Sequence, residues 1–94
     1  MSRREKELEE YQKAQKELKE KILEFLERNP EKKYTLKEIT ESIEIPSYWK
    51  GFDGPQREVI VSKELSHLVK LERVEEIEEE KEFKTVLYYR IRRK

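Results

Sequence analysis

The chain has 94 residues, with 22 Lys or Arg against 22 Asp or Glu, so its formal charges cancel. That length allows one domain with a small core, and 47% charged against 34% apolar residues requires the core to be compact under a heavily ionised surface. The balance excludes the large basic excess of a generic nucleic-acid binder, and the absence of cysteine excludes disulfides, thiolate metal sites and cysteine nucleophiles.

Residues 3 to about 28 read as one long helix. Leu8, Tyr11, Gln15, Leu18, Ile22 and Phe25 recur at alternating spacings of three and four, a heptad seam with one polar position. Leu23 and Leu26 widen the apolar stripe only in the last turns, so that half is expected to sit on a globular core. The first half carries only the narrow seam, and Leu8, Tyr11, Gln15 and Leu18 are expected to pair with a second copy as a homodimer. The plainer alternative is a solvated extension held by pairs such as Glu9 and Lys13, four residues apart. The whole chain, 1–94, is thus expected to be one domain, with 1–20 a helical extension and 21–94 the core.

Asn29-Pro30 stops this helix, since proline biases the residue before it away from helical geometry. Thr35 and Glu38 have the spacing of a capping box and open a second helix with Leu36, Ile39 and Ile43 on one face. Tyr34 and Thr35 are candidates for a short strand before it. The stretch from Ile45 to Gln56 then holds both glycines, two of the three prolines and the aromatics Tyr48, Trp49 and Phe52. These three aromatics either form a surface for a protein partner or fold back over a small core, and packing is the favoured expectation.

A third helix is expected from about Pro55 to Leu71. Val61, Leu65, Leu68 and Val69 share one face, and Gln56, Val59, Lys63, Ser66 and Lys70 the other, flanked by Ser62 and His67. Residues 73–80 and 84–92 read as a hairpin, with Leu87, Tyr89 and Ile91 alternating against Val86, Tyr88 and Arg90. The turn at Lys81, Glu82 and Phe83 has no Asn-Gly or Gly-Gly pair, so a longer, mobile tip is expected.

Helix, helix, helix, hairpin, with ILEFLERNP, TLKEITESIEI and VSKELSHLVKLERVE in that order, resembles the winged helix-turn-helix regulators of the MarR and ArsR kind. TLKEITESIEI looks like their supporting second helix, "tlkELAerLgi". VSKELSHLVKLERVE looks like "VSrhLkrLekkGLVe", the recognition helix and the entry to the wing. The resemblance spans Ile22 to Arg92 and implies an α+β winged-helix fold, here with an extended first helix. It also implies a DNA-binding transcription regulator whose third helix reads the major groove.

Carried over position by position, the resemblance points to Ser62 and Lys63, with Ser66 and His67 one turn on; the helical wheel puts the same residues outward. Gln56, Lys63, Ser66 and His67 are expected toward the bases, and Lys70, Lys81, Lys84, Arg90, Arg92 and Arg93 toward phosphate. The C-terminal Arg90, Arg92, Arg93 and Lys94 read equally as solubilising charge or as partners for the acidic strand beside them. Three features depart from the family. Glu72 stands where it often has Gly, about ten extra residues separate the second and third helices, and the first wing strand is strongly acidic. An acidic strand is repelled by phosphate unless only the tip at Lys81 and Lys84 approaches it. The rival reading is a winged-helix protein-interaction module without direct DNA binding.

No nucleophile–base pair, phosphate-binding glycine loop or metal-ligand cluster stands out, so neither an enzyme nor a cofactor is expected. No apolar run approaches the ~18 residues of a membrane span, and the charged opening lacks a signal-peptide pattern. A soluble cytoplasmic protein is therefore expected. Its wealth of Glu, Lys and Arg is the bias of hyperthermophile proteins, shared by designed helical ones.

Overall fold

Leu18, Ile22 and Leu26 lie one turn apart along the first helix and are fully buried, and the rest of the chain is arranged over that stripe. The computed structural model describes residues 3–93. It is an α+β chain of three helices and one antiparallel hairpin: α1 (Arg3–Arg28), α2 (Leu36–Ser42), a 3-10 turn (Ser47–Trp49), α3 (Gly54–Lys70), β1 (Val74–Lys81) and β2 (Lys84–Ile91). One core joins Ala14, Leu18, Ile22 and Leu26 of α1 to Ile39, Trp49, Val61, Leu65 and Leu68, and is closed by Val74, Tyr89 and Ile91 of the hairpin.

The core starts earlier in α1 than the expected boundary at residue 20. Leu18, expected at a dimer seam, is buried within its own chain and offers no surface to a second copy. The cause is the insertion between α2 and α3. Its 3-10 turn brings Trp49 against α1, with the Tyr11 and Trp49 rings 6.3 Å apart edge to face and Tyr11 and Tyr48 5.7 Å apart. Two oddities of the sequence, a narrow seam and an aromatic insertion, thus cover each other. Trp49 is buried, as expected of packing, while Tyr48 and Phe52 stay exposed.

The start of α2 follows its capping box: the Glu38 amide donates to the Thr35 hydroxyl at 3.2 Å, and the Thr35 amide donates to the Glu38 carboxylate at 2.9 Å. Just before it, Tyr34 and Tyr89 exchange backbone hydrogen bonds of 2.9 and 2.7 Å. The chain entering α2 therefore pairs with the edge of β2 that β1 leaves free. A second capping box, Asp53 with Gln56, opens α3, with Pro55 in its first turn.

α3 ends without a glycine. Glu72 takes φ 60, the left-handed conformation that Gly adopts at little cost. The Glu72 amide donates to the Val69 carbonyl and the Arg73 amide to the Leu68 carbonyl, the paired bonds of a Schellman ending. A side chain in this conformation costs about 1–2 kcal/mol, and a carboxylate at a helix C-terminus adds repulsion from the dipole. Glu72→Gly is therefore expected to stabilise the fold by about 1 kcal/mol after its extra unfolded-chain entropy is counted, read as a higher urea midpoint at constant m.

The hairpin differs from expectation at its tip. Strand pairing runs to Lys81 opposite Lys84, so Glu82 and Phe83 alone make the turn. Glu82 accepts φ 45 where a tight turn would favour Gly or Asn. Register sets two faces. Val74 and Ile91, Glu76 and Tyr89, Glu78 and Leu87, and Glu80 and Thr85 share one; Glu75 and Arg90, Ile77 and Tyr88, Glu79 and Val86, and Lys81 and Lys84 share the other. Burial, and the Glu76 carboxylate opposite, raise the Tyr89 hydroxyl above its usual 10.0. The raised value favours the neutral phenol in the fold, so this contribution is complete at neutral pH and fades as pH climbs past the usual tyrosine range. No described helix is long and apolar enough to cross a membrane.

Candidate nucleic-acid interface

α3 has its buried side on Val61, Glu64, Leu65 and Leu68. The carboxylate among them decides the charge of the opposite side. Glu64 is turned into the α1–α3 contact, where Gln15 Nε2 donates to its Oε1 at 3.3 Å and Lys19 Nζ lies 3.7 Å from its Oε2. That second distance is an ion pair and not a hydrogen bond, and Oε2 has no hydrogen-bond donor. The polar break in the α1 seam, Gln15, is therefore the receptor for Glu64. Glu58, the other acid of α3, is half-buried on the α2 side, where it lines a groove with Lys37, Thr40 and Glu41.

What remains exposed on α3 is Gly54, Pro55, Gln56, Arg57, Val59, Lys63, Ser66, His67 and Lys70. The set holds three cations and a histidine and no carboxylate. Lys63, Ser66 and Lys70 follow one another at intervals of three and four and so form one ridge, with Val59 and His67 beside it. Ser62 is half-buried at the rim toward α2. Lys63 Nζ reaches the Tyr11 hydroxyl at 3.5 Å, a long contact that an anion can displace.

Other expected residues stand differently. Gln56 spends its side-chain oxygen on the Asp53 amide; a paired contact to adenine needs both ends of the amide, so Gln56 cannot make one while it holds the cap. Arg90 directs Nε and Nη2 to Oε2 of Glu75 at 3.2 and 2.8 Å, and Arg93 Nη1 pairs with Glu31 at 2.6 Å. Both guanidiniums thus already have carboxylates. Arg92 is exposed, with its backbone amide on the Arg73 carbonyl. Lys94 lies outside the described residues. On α1, Tyr11 and Gln15 are half-buried in contacts of their own chain, and Leu8 is the exposed member of the seam.

Two further residues join the site, Val59 of the outward face and Arg57. Val59 is 69% exposed in the middle of the outward face; a β-branched residue on an otherwise polar face was the signal. Arg57 is exposed in the first turn, with Nε on the Phe52 carbonyl at 2.9 Å.

The acidity of β1 is divided between the hairpin's two faces. Glu75 is neutralised by Arg90 and Glu79 by Lys33, which reaches across from the α1–α2 connection. Lys33 and Lys81 also lie 4.7 and 5.4 Å from the centre of the Tyr88 ring. With Lys84, this face carries four cations against two carboxylates. Glu76, Glu78 and Glu80 project from the other face and have no ion-pair partner among the described residues. No family model, curated protein or solved structure matches this chain.

Proposed function

We propose that the chain is a winged helix whose α3 enters the DNA major groove, and that it acts as a transcription regulator. The observation that carries this reading is the burial of Glu64. Counted along the sequence, α3 is barely basic; in the fold its acids are turned in or aside, and the exposed ridge is Lys63, Ser66 and Lys70. Serine and histidine can contact base edges, lysine either bases or phosphate, and Val59 a thymine methyl. Zero net charge makes the attraction local, so binding depends on this face and not on the field of the whole molecule. A homodimer on a two-fold site is part of the proposal; its contacts start from the exposed Leu8 and not from Leu18.

Fluorescence anisotropy of a short labelled duplex of random sequence tests this. Binding should weaken steeply between about 50 and 200 mM salt. Lys63→Ala/Lys70→Ala should weaken it further and flatten the log–log salt slope by about two. An unchanged slope would remove α3 from the interface, and no binding even at low salt would remove DNA. The second reading, a protein-interaction module, draws on the exposed Tyr48 and Phe52 and on the unpaired face of Glu76, Glu78 and Glu80; it becomes first if duplex binding fails.

A further inference from the structure

The hairpin tip combines features that packing does not explain. Phe83 is 99% exposed, the most exposed large apolar side chain among the described residues. It is held there by a two-residue turn whose first residue, Glu82, takes a left-handed backbone. Such strain persists only where the surroundings impose it, and here full strand pairing up to Lys81 and Lys84 does so. Lys81 and Lys84 are direct cross-strand neighbours, an arrangement of like charges that costs stability and that an anion between them would relieve. The Lys84 side chain has no hydrogen bond or ion pair among the described residues. Both lysines are on the face where Glu75 and Glu79 are already neutralised.

We propose that this tip is a wedge for duplex DNA: Phe83 enters a base step from the minor groove and partly unstacks it, while Lys81 and Lys84 hold the flanking phosphates. The proposal rests on the DNA-binding reading and adds a distortion of the duplex to it. The undistorted minor groove, about 6 Å wide, is too narrow for a two-stranded ribbon but admits one ring from its tip. Apolar side chains inserted in this way kink the duplex, most readily at flexible pyrimidine–purine steps. The charge pattern sets the orientation. Only the face of Lys81 and Lys84 can lie against phosphate, because Glu76, Glu78 and Glu80 occupy the other. Glu82 is the one carboxylate of the turn itself, so Glu82→Gln should tighten binding.

The test uses the full chain and duplexes carrying 2-aminopurine in place of the adenine of a central TA step. Duplex binding is followed by anisotropy and end-to-end bending by energy transfer. The wild type should raise 2-aminopurine fluorescence on binding and shorten the end-to-end distance. Phe83→Ala, a change at a fully exposed site, should keep the fold's melting temperature, lose both signals and bind about tenfold more weakly. Wild-type binding with neither signal, or equal signals in Phe83→Ala, overturns the wedge and leaves the α3 reading intact. No duplex binding at all overturns both. Binding of the wild type, and not of Phe83→Ala, to phosphatidylserine–phosphatidylcholine vesicles in place of duplex would assign the tip to a lipid surface and also overturn it.

Discussion

Trp49→Ala is expected to remove about 3–5 kcal/mol of folding stability, a large share of the total for a domain whose whole margin is about 5–15 kcal/mol. Trp49 is 6% exposed in the 3-10 turn and packs edge-on against Tyr11 and Tyr48. Its removal leaves a cavity against α1. It also strips the cover from the half of α1 whose stripe is too narrow to hold a core alone. The loss should therefore be uneven. Amide exchange should rise most in α1 before Leu18, while Ile39, Val61 and Leu65 should keep the protection order of the intact core. Urea unfolding followed by far-UV circular dichroism measures the total, and Phe52→Ala, at an exposed position of the same segment, serves as a small-effect control. A loss below about 1 kcal/mol for Trp49→Ala would mean that the insertion is not part of the core.

The order of elements was legible because periodicity reports it. The 3.6-residue repeat of Val61, Leu65 and Leu68 names a buried face, and the two-residue alternation of Leu87, Tyr89 and Ile91 names another that is buried at Tyr89 and Ile91 and runs out into solvent at Leu87. The capping box at Thr35 marked the start of α2 by chemistry local to four residues. What could not be read was any pairing across long separations. Glu64 looked like one more surface charge because its receptor, Gln15, is 49 residues away. The narrow stripe at Tyr11, Gln15 and Leu18 asks for an apolar cover, and a partner helix meets that demand as well as an insertion does. Arg90 has two readings in the sequence, phosphate contact or partner of the acidic strand, and register decides for Glu75; the carboxylate of Arg93, Glu31, is set by chain return. The tip at Glu82 and Phe83 departs from the sequence pattern for another reason. Missing glycine argued for a longer loop, whereas the chain accepts a left-handed glutamate and keeps the turn tight.

Ser66→Glu is expected to separate binding from folding more sharply than removal of a lysine. Ser66 is exposed on the ridge between Lys63 and Lys70. A carboxylate there lies three residues after one lysine and four before the other, pairings that favour an isolated helix by about 0.2–0.5 kcal/mol each. Stability should therefore hold or rise slightly. Duplex affinity should fall at least about tenfold, since the new charge both neutralises the ridge and repels phosphate. Ser66→Gln, of similar size and without charge, should lose far less. Equal affinities for the Glu and Gln variants would show that the ridge does not meet a polyanion.

The most direct measurement is a titration of the isotope-labelled chain with duplex DNA, followed by amide shifts in two-dimensional NMR. Perturbed amides should gather on Val59, Ser62, Lys63, Ser66, His67 and Lys70, with a second group at Glu82 and Phe83. Perturbation centred on Tyr48 and Phe52, or none at any duplex concentration, would contradict the claim that the outward face of α3 binds DNA.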